Sequence, residues 1–260
     1  MLLKCDNCDT KLVGEFCHIC GQSGRPVQNS FKGFLHDLFT NLLGTDSRIV
    51  QSLRGLVLSP GRLTKDWVEG HRNRYTSPIQ LYLLMASGFF LLNAYHPFIQ
   101  FTPDDHTIFS SLTGARIEVP LSETHLANLE SAAVSLEVYR ERFDTRVSAA
   151  LGPLLIMTVV LFSCFVGAMT RRGRPFAHHA VFSLHWCSFF LLIESIRRLV
   201  GGGKIGEIVT VAIGGVYLIV AIARVYGSWK RALFVGPVLV FGFLFLIAGW
   251  MAATLWVALP

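Results

Sequence analysis

Five stretches of the chain stay apolar over about the length of a membrane crossing: residues 79–99, 149–169, 180–199, 207–224 and 233–257. A helix that spans the hydrocarbon core takes about 20 such residues, so the pattern predicts five transmembrane helices. The fourth stretch is the shortest, and Gly214-Gly215 interrupts it. Arg224, Lys230 and Arg231 form a tight polar turn before the fifth.

Ahead of the first span the period changes. Phe31, Phe34, Leu35, Leu38, Phe39, Leu42 and Leu43 recur at helical spacing, with Ser30 as a cap and Gly44 as a stop. A second amphipathic helix follows Asp46, carrying Ile49, Val50, Leu53, Leu56 and Val57 on one face, and Ser59-Pro60-Gly61 ends it. Neither is long enough to span. They are expected either to lie in the interface with their apolar faces down or to pack together as a small helical domain, the first being slightly favoured. Between the first two spans, residues 101–148 are polar. Pro120-Leu121-Ser122-Glu123 marks a helix start there, and one polar helix over 123–148 would run into the second span.

The expected class is therefore an all-α integral membrane protein of about five transmembrane helices. A small N-terminal zinc-ribbon-like element and amphipathic juxtamembrane helices complete it. The divisions are 1–24, 25–78 and 79–260, the last with an extracytoplasmic loop at 101–148. Composition agrees: 52% of residues are hydrophobic and only 15% charged, where soluble domains carry about 25% charged residues. Met1 to Cys5 lack the apolar core of a cleavable signal peptide.

Charge sets the orientation. Arg72 and Arg74 precede the first span, Arg171, Arg172 and Arg174 follow the second, and Arg224, Lys230 and Arg231 follow the fourth. Basic residues in short loops mark the cytoplasmic side, which puts the N-terminus inside and the C-terminus outside a bacterial inner membrane. Arg197, Arg198 and Lys204 fall on the other side and are outvoted. The net charge of +6 in so hydrophobic a chain points to anionic lipid headgroups rather than nucleic acid. Residues 1–21 hold only Lys4 and Lys11 against three acidic side chains, so the N-terminal element is not expected to bind nucleic acid.

Cys5-Asp6-Asn7-Cys8 and Cys17-His18-Ile19-Cys20 make two C-x2-C turns eight residues apart. Two such turns supply four sulfurs in a tetrahedron, the coordination that structural zinc takes. One structural zinc on Cys5, Cys8, Cys17 and Cys20 is the expectation, and with four protein ligands it leaves no open position for catalysis. Two disulfides or a redox pair are the competing readings. A cytoplasmic setting disfavours the first, and the lack of a thioredoxin-like surround disfavours the second. His18 is expected to face solvent, and Cys164 and Cys187 to pack within spans.

Polar groups within the spans are few. His178, His179, His185 and Glu194 lie on or at the mouth of the third span, and intramembrane ionisable residues are functional candidates by default. One metal cannot take both His185 and Glu194, which stand nine residues and about 13.5 Å apart on opposite faces of one helix. Glu194 has local partners in Arg197 and Arg198, three and four residues on. Arg62, Lys65, His71, Arg72 and Arg74, with Trp67 and Tyr75 nearby, form a basic belt before the first span suited to lipid headgroups.

The run from Phe31-Lys32 to Ser59-Pro60-Gly61, then Glu69-Gly70-His71-Arg72-Asn73-Arg74-Tyr75 and Pro78, resembles an uncharacterised bacterial membrane family, domain of unknown function 3667. In that family a paired-cysteine start ending in Cys-Gly-Gln precedes this segment, and here the ending is Cys20-Gly21-Gln22. Where the family has Gly-Lys-Arg, this chain has Gly70-His71-Arg72. The resemblance covers roughly residues 5–80. It implies the same architecture and carries no activity.

Three functions compete. The first is a membrane-anchored zinc-binding module, docking or regulatory, with a cytoplasmic protein partner. The second is a lipid-modifying enzyme using His178, His179 and His185. The third is a small transporter or channel subunit that works as an oligomer through Ala248, Gly249, Ala252 and Ala253. The absence of a nucleophile–base arrangement in the sequence puts the module first and an enzymatic role behind a non-enzymatic one.

Overall fold

The computed structural model describes residues 4–22, 46–95, 99–102, 107–110, 116–118, 136–170, 174–201 and 203–258. The stripe at 31–43 and the cap at Ser122 lie outside them. Among the described residues there are seven helices: α1 (Asp46–Leu58), α2 (Arg62–Val68), α3 (Pro78–Tyr95), α4 (Leu136–Thr170), α5 (Phe176–Val200), α6 (Gly203–Tyr226) and α7 (Trp229–Ala258). Five of them, α3 to α7, are long and apolar enough to cross a membrane. The protein is an all-α integral membrane protein in this sense.

The sequence pattern did not separate one feature. Three short strands, β1 (Ile99–Thr102), β2 (Thr107–Ser110) and β3 (Arg116–Glu118), form an antiparallel meander between α3 and α4. The first span consequently ends at Tyr95 rather than at residue 99. Within 101–148, helix is described from Leu136 on. Each strand is three or four residues long, too short for its alternation to stand out in a polar loop.

The helix α5 is the hub. It packs against α3, α4 and α6, and α1 and α2 also reach it. In its apolar window 61% of residues are buried, against 24–44% in the other spans. Phe162, Trp186, Phe189, Phe190, Tyr217 and Phe243 interlock around it. Gly214 and Gly215 do not interrupt α6. A Cβ on Gly214 would stand 3.2 Å from the Trp186 ring edge, so the missing side chain makes room for the largest core residue.

The α1–α2 hairpin is docked on this bundle. Leu56 and Leu63 are almost fully buried in the same core as Leu81, Trp186 and Leu218. At the Ser59-Pro60-Gly61 turn, Gly61 has φ +76°, and a Cβ there would lie 2.8 Å from the backbone of Ala221. Only glycine meets both demands without strain. Arg224 donates to the Pro60 carbonyl at 2.7 Å. The hairpin packs on α5 and α6, with α2 burying Leu63 and Thr64 against the spans. On α1, Val50, Val57 and Leu58 remain exposed.

Candidate metal centre and the polar ends of the bundle

The two C-x2-C turns repeat each other. Asp9 N–H donates to the Cys5 carbonyl and Cys5 N–H to the Thr10 carbonyl; twelve residues on, Gly21 donates to Cys17 and Cys17 to Gln22. The residue after each second cysteine, Asp9 or Gly21, takes a positive φ (58° and 71°), which turns the chain back around the sulfurs. Lys4 and Lys11 pair as an isolated bridge behind the first turn.

This geometry gathers the four sulfurs. All lie within 4.8 Å of one another, with Cys5–Cys20 and Cys8–Cys17 at 3.5 Å and Cys8–Cys20 at 3.6 Å. A bonded pair would stand at about 2.05 Å, whereas a tetrahedron of thiolates around zinc has edges of about 3.8 Å. The cluster can hold one metal ion. Hydrogen bonds from Thr10 bring the Cys8 thiol down to about 6, while burial pushes Cys5 up to about 11. His18 is exposed and outside the ligand set.

The second turn is fastened to the segment before the first span. Gln22 Nε2 donates to the Gly70 carbonyl at 2.7 Å, and Asn73 N–H donates to Gln22 Oε1 at 3.3 Å. The Asn73 amide also donates to the Cys20 carbonyl. Gly70 (φ +99°) lies against Asp6, so close that a Cβ would stand 2.9 Å from the Asp6 Cβ. The loop at 69–75 is itself held from within: His71 N–H bonds the Asp66 carbonyl, and the Tyr75 hydroxyl donates to the Asp66 carboxylate at 2.9 Å. Burial and that carboxylate raise the Tyr75 phenol above its usual range.

Residues 46–90 match the family described as protein of unknown function, DUF3667. The DUF3667 segment runs from the start of α1 through most of α3, so it holds the docked hairpin and the loop that grips Gln22. No curated protein and no solved structure matches the chain.

The histidines of α5 do not form one cluster. His185 Nδ1 is 2.9 Å from the Thr64 hydroxyl of α2, with both residues buried. His179 Nδ1 is 2.8 Å from the Tyr226 hydroxyl and stacks on its ring. The Nδ1 of His178 is buried without a hydrogen-bond partner. Thr64 and His185 have the spacing of a hydroxyl and its base, but at 1% and 4% exposure neither meets a substrate in this conformation. Glu194 stands at the far end of the same helix, held by Arg197 at 2.6 and 2.9 Å and by Arg198 at 3.1 Å. Arg198 also lies over Phe89 of α3.

Of the basic belt, Arg62 pairs with Asp66 and Lys65 with Glu69, each at 3.7 Å. Arg74 is exposed, and Arg72 lies over the Trp67 ring. Cys187 is buried and Cys164 is exposed. Ala248 and Gly249 face outward, and a Cβ at Gly249 would meet nothing within 4 Å. Thr64, Asn73 and Tyr226 were not singled out from the sequence. Each is one polar residue whose partner lies 47 to 121 positions away, and no local spacing signals such a pair.

Proposed function

We propose that the protein is a membrane-anchored zinc module in which the metal holds the N-terminal knuckle pair as a clamp on the loop that leads into the first span. The observation that carries this reading is the three-way contact of Cys20 and Gln22 with Gly70 and Asn73. Cys20 is a metal ligand, and its own carbonyl is one of the clamped groups. Loading the site therefore orders the backbone that grips the loop.

Zinc is the metal that four thiolates favour with no open position, and such a site serves structure or regulation rather than catalysis. The basic residues at this end of the bundle, Arg72, Arg74, Arg174, Arg224 and Arg231, support a cytoplasmic knuckle in a bacterial inner membrane by the positive-inside rule. Val13, Phe16 and Ile19 stand exposed on the knuckle, a surface compatible with a cytoplasmic partner protein.

Elemental mass spectrometry on the purified chain tests the metal. The expected result is one zinc per chain, lost in Cys5→Ser/Cys17→Ser. A metal that survives that double substitution would move the site into the helices and bring the enzymatic reading forward.

A further inference from the structure

The α1–α2 hairpin shows two unlike faces to its surroundings. The exposed side chains of α2 and its cap are Arg62, Lys65 and Glu69, all charged. On α1 they are Val50, Gln51, Arg54, Val57 and Leu58, with the two apolar side chains Val57 and Leu58 next to the turn. At 13 residues, α1 has the length of a re-entrant or interfacial segment rather than of a span.

The contacts of the turn set its depth. Gly61 lies against the backbone of Ala221, five residues before the end of α6 at Tyr226 and so about 7.5 Å inside along that helix. Thr64 meets His185, nine residues from the start of α5 at Phe176, or about 13.5 Å. Both points fall within segments apolar enough to cross a membrane. Ser52, earlier on α1, accepts the Thr76 N–H at 2.8 Å, just ahead of α3. The helix α1 therefore runs from the entry of the first span to a turn that sits against the interior of α6.

Irregular backbone at membrane depth is tolerated only where protein satisfies its polar groups, and the carbonyls of this turn meet that condition. The Ser59 carbonyl accepts the Arg62 N–H and the Gly61 carbonyl the Lys65 N–H, each at 3.0 Å. The Pro60 carbonyl accepts from Arg224, and proline has no N–H to satisfy. The donation from Arg224 is the decisive one, because a solvated turn would leave that carbonyl to water.

We propose that the hairpin is a half-inserted element of the membrane domain, its Val57-Leu58 end covered by lipid acyl chains of the leaflet on the knuckle side. The inner side of the hairpin packs on α5 and α6. Arg54 lays its stem along the apolar face and carries its charge toward the headgroups. The charged row of α2, where Arg62 and Lys65 pair with Asp66 and Glu69, faces the aqueous side. The hairpin thus takes up room in one leaflet only. This inference rests on the depth of the turn and does not involve the metal.

The test uses the full wild-type chain in phosphatidylcholine nanodiscs doped with a phosphatidylcholine that carries a diazirine on its acyl chain. After irradiation, trypsin releases residues 55–62 as one peptide and 66–72 as another, since Arg54, Arg62, Lys65 and Arg72 set their ends. Lipid adducts should appear on Val57 and Leu58 in the first peptide. Their yield should exceed that of the second about tenfold or more, as a face in hydrocarbon differs from one in water. Adducts confined to the five spans would overturn the proposal and give the α1 face to water, a second copy of the chain or a soluble partner. Equal yields from the two peptides would overturn it as well, because both sides of the hairpin would then meet the same surroundings.

Discussion

The two ends of α5 handle polar groups in opposite ways. At the far end, Arg197 and Arg198 both donate to the Glu194 carboxylate from within about one helical turn, though the two terminal nitrogens of Arg198 are buried without a hydrogen-bond partner. At the knuckle end, His185 depends on Thr64 and His179 on Tyr226, residues 121 and 47 positions distant. A local pair forms whenever the helix forms. A distant pair forms only once the α1–α2 hairpin and α6 have docked. Polarity at the far end is therefore built into one element, whereas at the knuckle end it reports on assembly.

Breaking the local set should cost most. Glu194→Ala leaves two arginines whose side chains are 8% and 5% exposed without their shared carboxylate, a loss of about 3–5 kcal/mol for a buried pair stripped of one partner. Unfolding in detergent should show a large drop for Glu194→Ala, and an unchanged transition would mean that the arginines find water or lipid there instead.

At the knuckle end the effects should be smaller and should travel. Gly61→Ala forces an alanine into a left-handed conformation, at about 1–3 kcal/mol, and presses its Cβ on Ala221. The hairpin should loosen while the five spans stay folded, seen as faster hydrogen exchange in 46–68 with little change in 203–226. Thr64→Val removes the partner of a buried imidazole, at about 1–3 kcal/mol, and the same hairpin should respond. If exchange rises throughout the bundle, the hairpin and the spans are one cooperative unit and the contrast between the two ends dissolves. Tyr226→Phe is the mildest, deleting one hydroxyl for about 1 kcal/mol while the ring stays stacked on His179.

The same contrast explains what the sequence could tell. Helix periods, spans and the i, i+3 pairing of Glu194 are written within a few residues, and the four cysteines announce themselves by spacing. The destination of the hairpin was not legible. Leu56 and Leu63 look alike whether they face lipid or a neighbouring helix, since both surroundings are apolar. Gly214-Gly215 read as a break because the ring of Trp186 that fills the gap belongs to another helix. The strands at 99–118 were hidden by their shortness. Gln22 and Asn73 each stood in a family-like motif, yet nothing in either motif says that one grips the other.

Hydrogen exchange on the full chain, with and without a chelator, decides whether the knuckle clamps the loop. With metal bound, the amides of 4–22 and of 70–75 should both be protected, and removing the metal should speed exchange in both segments together. Faster exchange in 4–22 with 70–75 unchanged would show that the loop holds its shape without the knuckle, and the clamp would be contradicted.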